Sequence, residues 1–367
     1  MHTRNPNNPR QRGFNLIELM VGMVLALIAV IVVMQVFQQS ERNKRTTTGS
    51  ASASMDGAIA FTDILRDVRQ GGMGMSNLAE LGCSLTLRPG VTLPNLGPVT
   101  VNHPSVAPGD PNTDTLLVIY GSSNSSPEGD RITAHGSNTT YAINTPTAFP
   151  AAAAYASTNS YVVAALQNPT LPCSLVLDQI STNPGTVPGS ILTTKTGAGG
   201  AADTMYDWGF TPVAAAYRVN AGRLQQCNYL TSDCSKTTAG VWIDMVDGVI
   251  SLRALYGHDS SGNIDQIAGI VVDTYDQTTP SSSCGWARTG AVKLALTMRS
   301  GQLEVNPVTG SGAGLAPVPT WSGAASAPIT ITTNANWANY RYKVFESVVS
   351  MRNMSWIGVK TTCNGVF

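Results

Sequence analysis

The chain has 367 residues, of which 12% are charged, and 22 basic residues balance 22 acidic ones to a formal net charge of zero at pH 7. This balance gives no indication of a nucleic-acid-binding surface or of a broadly basic membrane-binding face. The 35 glycines and 21 prolines, with abundant Ser, Thr, Asn and Ala, are typical of a β-rich exported domain with long loops rather than of a helical cytosolic protein.

The first segment, residues 1–13, is a short basic leader. It contains no acidic residue and carries three basic side chains: Arg4, Arg10 and Arg12. Pro6, Pro9 and Gly13 disfavour a helix there. The positive-inside rule therefore predicts that the leader stays in the cytoplasm.

The longest apolar run follows the leader and continues to Phe37, interrupted after Glu18 only by Gln35. As a helix, a run of this length spans a bilayer, since each residue rises about 1.5 Å against roughly 30 Å of hydrocarbon. A secretory signal peptide has its cleavage site after the apolar run, whereas the sharp Gly13-Phe14 junction lies before it. Cleavage at this junction leaves the apolar helix on the mature protein.

Glu18 places one carboxylate at the start of this helix. An ionised group inside the membrane edge costs roughly 2.5 kcal/mol or more unless it has a partner, so a functional role is the default hypothesis. The alternative is a plain anchor whose Glu18 reaches the membrane surface.

The residues around this carboxylate match a known signal. The sequence Gly13-Phe14-Asn15-Leu16-Ile17-Glu18-Leu19-Met20-Val21 resembles the class III signal of type IV prepilins and type II secretion pseudopilins. The resemblance implies that a prepilin peptidase cleaves after Gly13 and methylates the amine of Phe14. It also implies that Glu18 pairs with the N-terminal amine of a neighbouring subunit, and a low dielectric strongly favours this pairing of opposite charges.

Beyond the apolar run, residues 40–54 are polar and predict a bend or local melting of the helix. Apolar residues then recur at helical spacing, which predicts an amphipathic helix packed on a globular domain. These residues are Met55, Ala58, Phe61, Leu65 and Val68. Gly71 and Gly72 end this helix.

From residue 83 onward, short apolar runs alternate with turn signals, which predicts a β-rich domain. Strands are predicted at 116–120, 161–166, 250–256, 292–298 and 340–354, with a hairpin of 215–220 and 223–227 turning at Ala221-Gly222. The segments 124–156, 183–200 and 301–328 are predicted to be loops or insertions.

The six cysteines all lie outside the apolar helix, which indicates disulfides in an oxidising compartment. They are Cys83, Cys173, Cys227, Cys234, Cys284 and Cys363. The sequence alone leaves their pairing open, although the short spacing of Cys227 and Cys234 favours a local clip. A zinc site is not indicated, because no Cys-x-x-Cys pair occurs and the histidines are scattered.

Three late segments resemble PilW-type minor pilins of the type IV pilus. They are 248–257, 291–300 and 342–353. The resemblance implies a structural role and several partners: other minor pilins, the major pilin, a tip-associated adhesin, the prepilin peptidase and an inner-membrane assembly platform.

Other clusters of polar residues do not indicate catalysis or a cofactor. Asp110, Asn112 and Asp114 have part of a calcium-loop spacing but lack its glycine and distal Glu, so a turn is the preferred interpretation. Tyr256, His258, Asp259 and Asp265 are interpreted as a polar turn between strands. No nucleophile, metal or phosphate-loop motif of an enzyme is present.

The expected fold is α+β, with a long N-terminal helix packed on a mostly antiparallel, pilin-like domain. Residues 1–13 form the leader, 14–39 the membrane or filament-core helix, 40–72 its amphipathic second half and 73–367 a periplasmic domain, possibly in two lobes. The expected function is a minor pilin that initiates pilus assembly from the inner membrane and then lies at the tip, for adhesion, twitching motility or DNA uptake. The alternatives are a J-type pseudopilin of type II secretion and a membrane-anchored adhesin that does not polymerise.

Overall fold

The computed structural model describes residues 15–75, 77–123, 129–149, 160–167, 169–182, 187–197, 202–261, 269–355 and 363. Within these residues, one long N-terminal helix is followed by β-strands and a few short helices. Nearly all strand pairs are antiparallel, and β1 with β8 is a parallel pair. The α+β fold predicted from the sequence is confirmed.

The long helix, α1, runs without a break from Leu16 to Gln70. The predicted melting over 40–54 is wrong, because these residues are helical throughout. Polar side chains one turn apart bond along the helix, as when the Thr47 hydroxyl donates to the Asn43 carbonyl at 2.9 Å and Ser52 donates to Asp56 at 3.2 Å. The polar segment is therefore a solvated part of one continuous rod.

The buried face of α1 differs from the predicted one. Met55 is 67% exposed and Ala58 is also exposed, so both were assigned to the wrong side. The buried stripe consists of Gly57, Ala60, Phe61, Ile64, Asp67 and Val68. The buried stripe begins at Gly57, which was not among the apolar positions predicted from the sequence.

Gly57 allows α1 to lie directly on the sheet. A Cβ atom at this position would be only 2.5 Å from Met298 Cγ and 2.6 Å from Phe345 Cε2. One turn later, the rings of Phe61 and Phe345 have their centroids 6.2 Å apart. The helix is thus seated on the last two long strands of the domain.

The strands of the described residues form three sheets. Their bounds are β1 Ser84–Arg88, β2 Val91–Leu93, β3 Val99–Val101, β4 Leu116–Tyr120, β5 Asp130–Ser137, β6 Thr140–Ile143, β7 Tyr161–Ala165, β8 Ser174–Thr182, β9 Ile191–Thr194, β10 Thr204–Gly209, β11 Val213–Asn220, β12 Arg223–Asn228, β13 Ile243–Asp247, β14 Val249–His258, β15 Thr274–Asp276, β16 Thr289–Arg299 and β17 Tyr342–Ser350. The short helices α2 and α3 span Ser283–Ala287 and Arg352–Ser355.

The first sheet closes on itself. Its order is β2-β1-β8-β7-β10-β5-β6-β9, and β9 pairs back onto β8, so six antiparallel strands form a ring. The ring has a separate hydrophobic core, whose buried members include Tyr141, Ile143, Val162, Leu192 and Met205. The predicted loop at 124–156 is therefore wrong where it becomes β5 and β6, and the loop at 183–200 is wrong where it becomes β9.

The second sheet has the order β13-β12-β11-β4-β3. It confirms the predicted strand at 116–120 and the predicted hairpin, whose turn residues Ala221 and Gly222 have φ angles of 52° and 73°. Both turn amides donate to the carboxylate of Asp110, at 2.9 and 3.0 Å. Asp110 thus fixes the hairpin turn from outside it.

The third sheet has the order β15-β14-β16-β17 and confirms the three late strands. One of its faces contributes Leu252, Leu294 and Leu296 to the main core shared with α1. On the other face, Leu255 and Ala295 pack against Trp321 and Ile331 of the long segment after β16. The sheet that carries the helix is therefore covered on both sides.

Candidate assembly site

Glu18 lies in the first turn of α1, where the helix dipole favours a negative charge. Its amide donates to the Asn15 carbonyl at 2.9 Å, and its side chain is exposed. Within the described part of the chain, no ion pair involves Glu18, and Gly13 and Phe14 lie outside that part. The carboxylate is thus available to a partner beyond this helix.

The surface around Glu18 is apolar on every side of the helix. From Leu16 to Phe37, every large hydrophobic side chain is more than half exposed. An 18-residue stretch of this helix is strongly apolar, and no part of it is buried in the protein. By length and composition this is a candidate membrane span, and such an extended apolar surface is not left in water.

At its other end, α1 is fixed to the second sheet by the buried Asp67. The hydroxyls of Tyr120 and Tyr217 both donate to its carboxylate, from 3.1 and 2.5 Å. Burial raises the pKa of both tyrosines, and the Asp67 charge raises it further, so both hydroxyls stay protonated donors. The apolar positions predicted from the sequence do not include Asp67, although counting from Gly57 in steps of three and four puts it on the buried face.

We expect Asp67→Ala to lower the free energy of unfolding of the full chain in detergent by about 3 kcal/mol, because two buried hydroxyls lose their acceptor. The measurement is the denaturant midpoint. The matched control is Asp63→Ala, one turn earlier and 40% exposed, which should change stability by less than about 1 kcal/mol. Equal effects of the two substitutions would contradict the role of Asp67.

The last residues of α1 are also held by α3, the short helix that follows β17. The Asn353 side-chain amide donates to the carbonyls of Gln70 and Gly71, at 2.9 and 3.2 Å. The next residue, Gly72, donates its amide to the Ile119 carbonyl of β4 at 3.0 Å. Orphan carbonyls of the helix end are thereby satisfied, and the helix direction is tied to the domain.

All six cysteines are paired. The disulfides join Cys83 to Cys173, Cys227 to Cys234, and Cys284 to Cys363. The pair favoured from the sequence, Cys227 with Cys234, is among them. The first bond links β1 to β8 across 90 residues, and the third holds the chain near its C-terminus on α2.

The polar clusters noted in the sequence have structural partners. Asp114 is buried, its carboxylate lies 3.3 Å from Arg253 Nη1, and it accepts from the Ala254 amide at 3.0 Å. Tyr256 and His258 belong to β14 and are buried, so the polar-turn interpretation is wrong for them. Asp265 lies outside the described residues.

Two family models match parts of the chain. The model described as the prokaryotic N-terminal methylation motif matches residues 8–34, which include Gly13, Phe14 and Glu18. The model described as type IV pilus-assembly protein W, PilW, matches residues 218–353. Residues 218–353 are thus similar to PilW, and residues 8–34 are similar to the prepilin methylation motif.

The PilW-like region, residues 218–353, begins at the end of β11 and includes β12 to β17. It supplies Met298 and Phe345, on which Gly57 of α1 rests, and Asn353, which bonds the helix end. The closed ring of β5 to β10 lies outside the matched residues. The PilW-like region therefore includes the residues on which the helix rests.

Among solved structures, the chain is similar to a type IV-like pilin from Thermus thermophilus, with 11% sequence identity over 54% of this chain and 86% of that one. The TM-score is 0.20, which does not establish a common overall fold. No curated protein matches the chain significantly.

Proposed function

We propose that the protein is a structural minor pilin that helps to initiate type IV pilus assembly as part of a tip complex. In this proposal the leader 1–13 is removed by prepilin peptidase, Phe14 becomes the methylated N-terminus, and residues 14–39 hold the subunit in the inner membrane. Residues 40–72 continue the helix onto the periplasmic domain 73–367. Its partners are other minor pilins, the major pilin, a tip-associated adhesin and the inner-membrane assembly platform.

The observation that carries the proposal is an exposed carboxylate on an otherwise apolar helix. Glu18 lacks an ion-pair partner among the described residues. The helix that bears it is joined to the globular domain through Asp67, which bonds Tyr217, and through Asn353, which lies in the PilW-like region 218–353. A new ammonium at Phe14 of a neighbouring subunit supplies the opposite charge. Such a pair in a low dielectric both orients two helices and sets their axial offset.

The alternatives from the sequence differ in their partners. A J-type pseudopilin of type II secretion would copurify with other pseudopilins, and an anchored adhesin would copurify with neither set. The PilW description concerns type IV pilus assembly and therefore favours the minor-pilin proposal over both alternatives.

The test is copurification of the processed full chain with candidate minor pilins from detergent-solubilised membranes. We expect a defined complex with minor pilins that contains no pseudopilin. Recovery of the processed chain alone, under conditions in which the other minor pilins do associate, would rule out the tip-complex role.

We further expect Gly13→Val to block processing, because the peptidase requires a small, flexible residue beside the scissile bond. The measurement is the mobility of the protein on a gel, where the unprocessed chain keeps its 13-residue leader. Gly13→Ala is the matched control and should retain partial processing. A mature band of normal intensity for Gly13→Val contradicts the prediction.

A further inference from the structure

A pocket of about 560 Å³ lies beside α1, directly beyond the apolar segment. Gln39 and Arg42 of the helix form one wall, and Leu303, Val305 and Arg341 contribute to the other. We propose that this pocket binds the phosphate headgroup of an anionic phospholipid, in the leaflet from which α1 emerges. The inference rests on the proposed membrane-anchored state and adds a lipid ligand to it.

The position of the pocket along the helix points to the lipid headgroups. Phe37 is the last residue of the apolar run, and Gln39 is two residues further, about 3 Å along the axis. The headgroup layer is roughly 5 to 7 Å thick on each side of the hydrocarbon. A pocket lined by Gln39 and Arg42 therefore opens at the depth of the phosphates.

The segment that forms the outer wall is rigidly built. The Glu304 amide donates to the Asn339 carbonyl at 2.9 Å, and the Asn339 side chain donates back to the Glu304 carbonyl at 2.9 Å. The Val308 amide donates to the Ala338 carbonyl at 2.7 Å. Gln302 closes the wall against the helix, since a Cβ atom at Gly49 would be only 3.6 Å from the Gln302 Cβ.

This wall carries exposed apolar side chains. Val305 is 79% exposed and Leu303 is 44% exposed, although the backbone between them is fixed by hydrogen bonds. Exposed apolar residues on a rigid loop at this depth gain free energy by entering the headgroup and acyl boundary. They mark the outer wall as a membrane-contacting surface.

The charges in the pocket favour an anion. Arg42 and Arg341 outnumber the single acid that lines it, Glu304, whose carboxylate accepts from Arg341 Nε at 3.4 Å. A guanidinium has several N–H donors, so this long contact orients Arg341 while leaving donors for a phosphate oxygen. The chain's zero net charge conceals this local excess of positive charge.

The first test measures which lipid stays bound. The full processed chain is reconstituted in nanodiscs of mixed phosphatidylglycerol and phosphatidylcholine, released in mild detergent and examined by native mass spectrometry. We expect phosphatidylglycerol to be retained several-fold over phosphatidylcholine. The double variant Arg42→Gln with Arg341→Gln should lower that retention about tenfold, which corresponds to about 1.4 kcal/mol.

The matched control is Arg131→Gln with Lys236→Gln, which removes the same charge from exposed positions elsewhere on the domain. It should retain lipid as the unchanged protein does. Equal retention in both double variants, no preference between the lipids, or full displacement by excess inorganic phosphate would each overturn the proposal. So would a second copy of the chain filling the pocket in place of lipid.

The second test measures depth. A fluorophore on Val305→Cys should be quenched by headgroup-spin-labelled lipids in vesicles, while one on Val187→Cys, which is 68% exposed, should not. A label on Phe37→Cys reports insertion of the helix itself. Quenching at Phe37 without quenching at Val305 refutes the lipid site alone, whereas no quenching at Phe37 refutes membrane anchoring and with it the proposed function.

Discussion

Replacing Glu18 by glutamine is expected to reduce recruitment of partner pilins and piliation by on the order of 100- to 1,000-fold or more, since loss of one member of a desolvated ion pair costs about 3 to 5 kcal/mol. Glutamine keeps the size and polarity of the side chain, so the loss reports the charge. In the described structure the carboxylate is exposed and α1 is intact from Leu16 onward, so folding of the domain should not change.

The measurements are copurification of minor pilins and counting of surface filaments, with peptidase cleavage followed on the same samples. Leu19→Ala is the matched control, because it alters the neighbouring exposed position without removing a charge. We expect Leu19→Ala to assemble at close to the normal level. Normal piliation by Glu18→Gln would refute the intersubunit charge pair, and the helix would then serve as an anchor only.

The features that were predicted correctly depend on residues close together in the sequence. The apolar run and Glu18 are read directly from the first part of the sequence, and the alternation around Leu252 and Leu294 predicts the late strands. The Ala221-Gly222 hairpin is equally local, because two adjacent left-handed residues define its turn. In the structure, the apolar helix, the late strands and the hairpin all lie where these short-range patterns predict them.

The closed ring was missed because its strands lack a local signature. β5, Asp130–Ser137, is exposed along most of its length and reads as a polar loop. Its place is decided by pairing with β10, more than 60 residues later, and the ring closes through β9 on β8. Such long-range register is not contained in composition or periodicity.

The burial of Asp67 was missed for a related reason. A carboxylate on a helix is usually solvated, and what makes its burial tolerable is Tyr217, 150 residues away. The same holds for the unbroken helix over 40–54, where weak helix formers suggested melting. Docking of the later half on the domain stabilises a segment that its own propensity does not.

Glu80 should make the stability of the domain depend on pH. It is 1% exposed at the end of a short 3-10 helix, and burial raises the pKa of its carboxyl to about 8, against smaller lowering effects of Tyr206 and Asn77. The folded state holds the Glu80 proton more tightly than the unfolded state does. The contribution of protonated Glu80 to folding stability is therefore complete below the ordinary pKa of 4.5 and is lost as the pH rises to about 8. The difference amounts to about 3 to 5 kcal/mol at high pH.

His103 has the opposite effect on folding stability, which it lowers as the pH falls. Burial lowers the pKa of its imidazole to about 4, so the stability that a neutral His103 contributes is present above pH 6.5 and is lost as the pH falls towards 4. The opposing effects of the two groups overlap between about pH 4.5 and 6.5. Above pH 6.5 the Glu80 effect remains alone.

We therefore expect Glu80→Gln to stabilise the full chain at pH 8 relative to the unchanged protein, because glutamine removes the ionisation but keeps the shape of the side chain. Denaturant unfolding at pH 5 and pH 8 should show the advantage of the variant growing by about 3 kcal/mol between the two. Glu346→Gln, at an exposed position of β17, is the matched control and should show little change in its advantage. A Glu80→Gln advantage that stays constant from pH 5 to pH 8 would mean that this buried carboxyl ionises at its ordinary pKa, and that Tyr206 and Asn77 stabilise the charge more than burial opposes it.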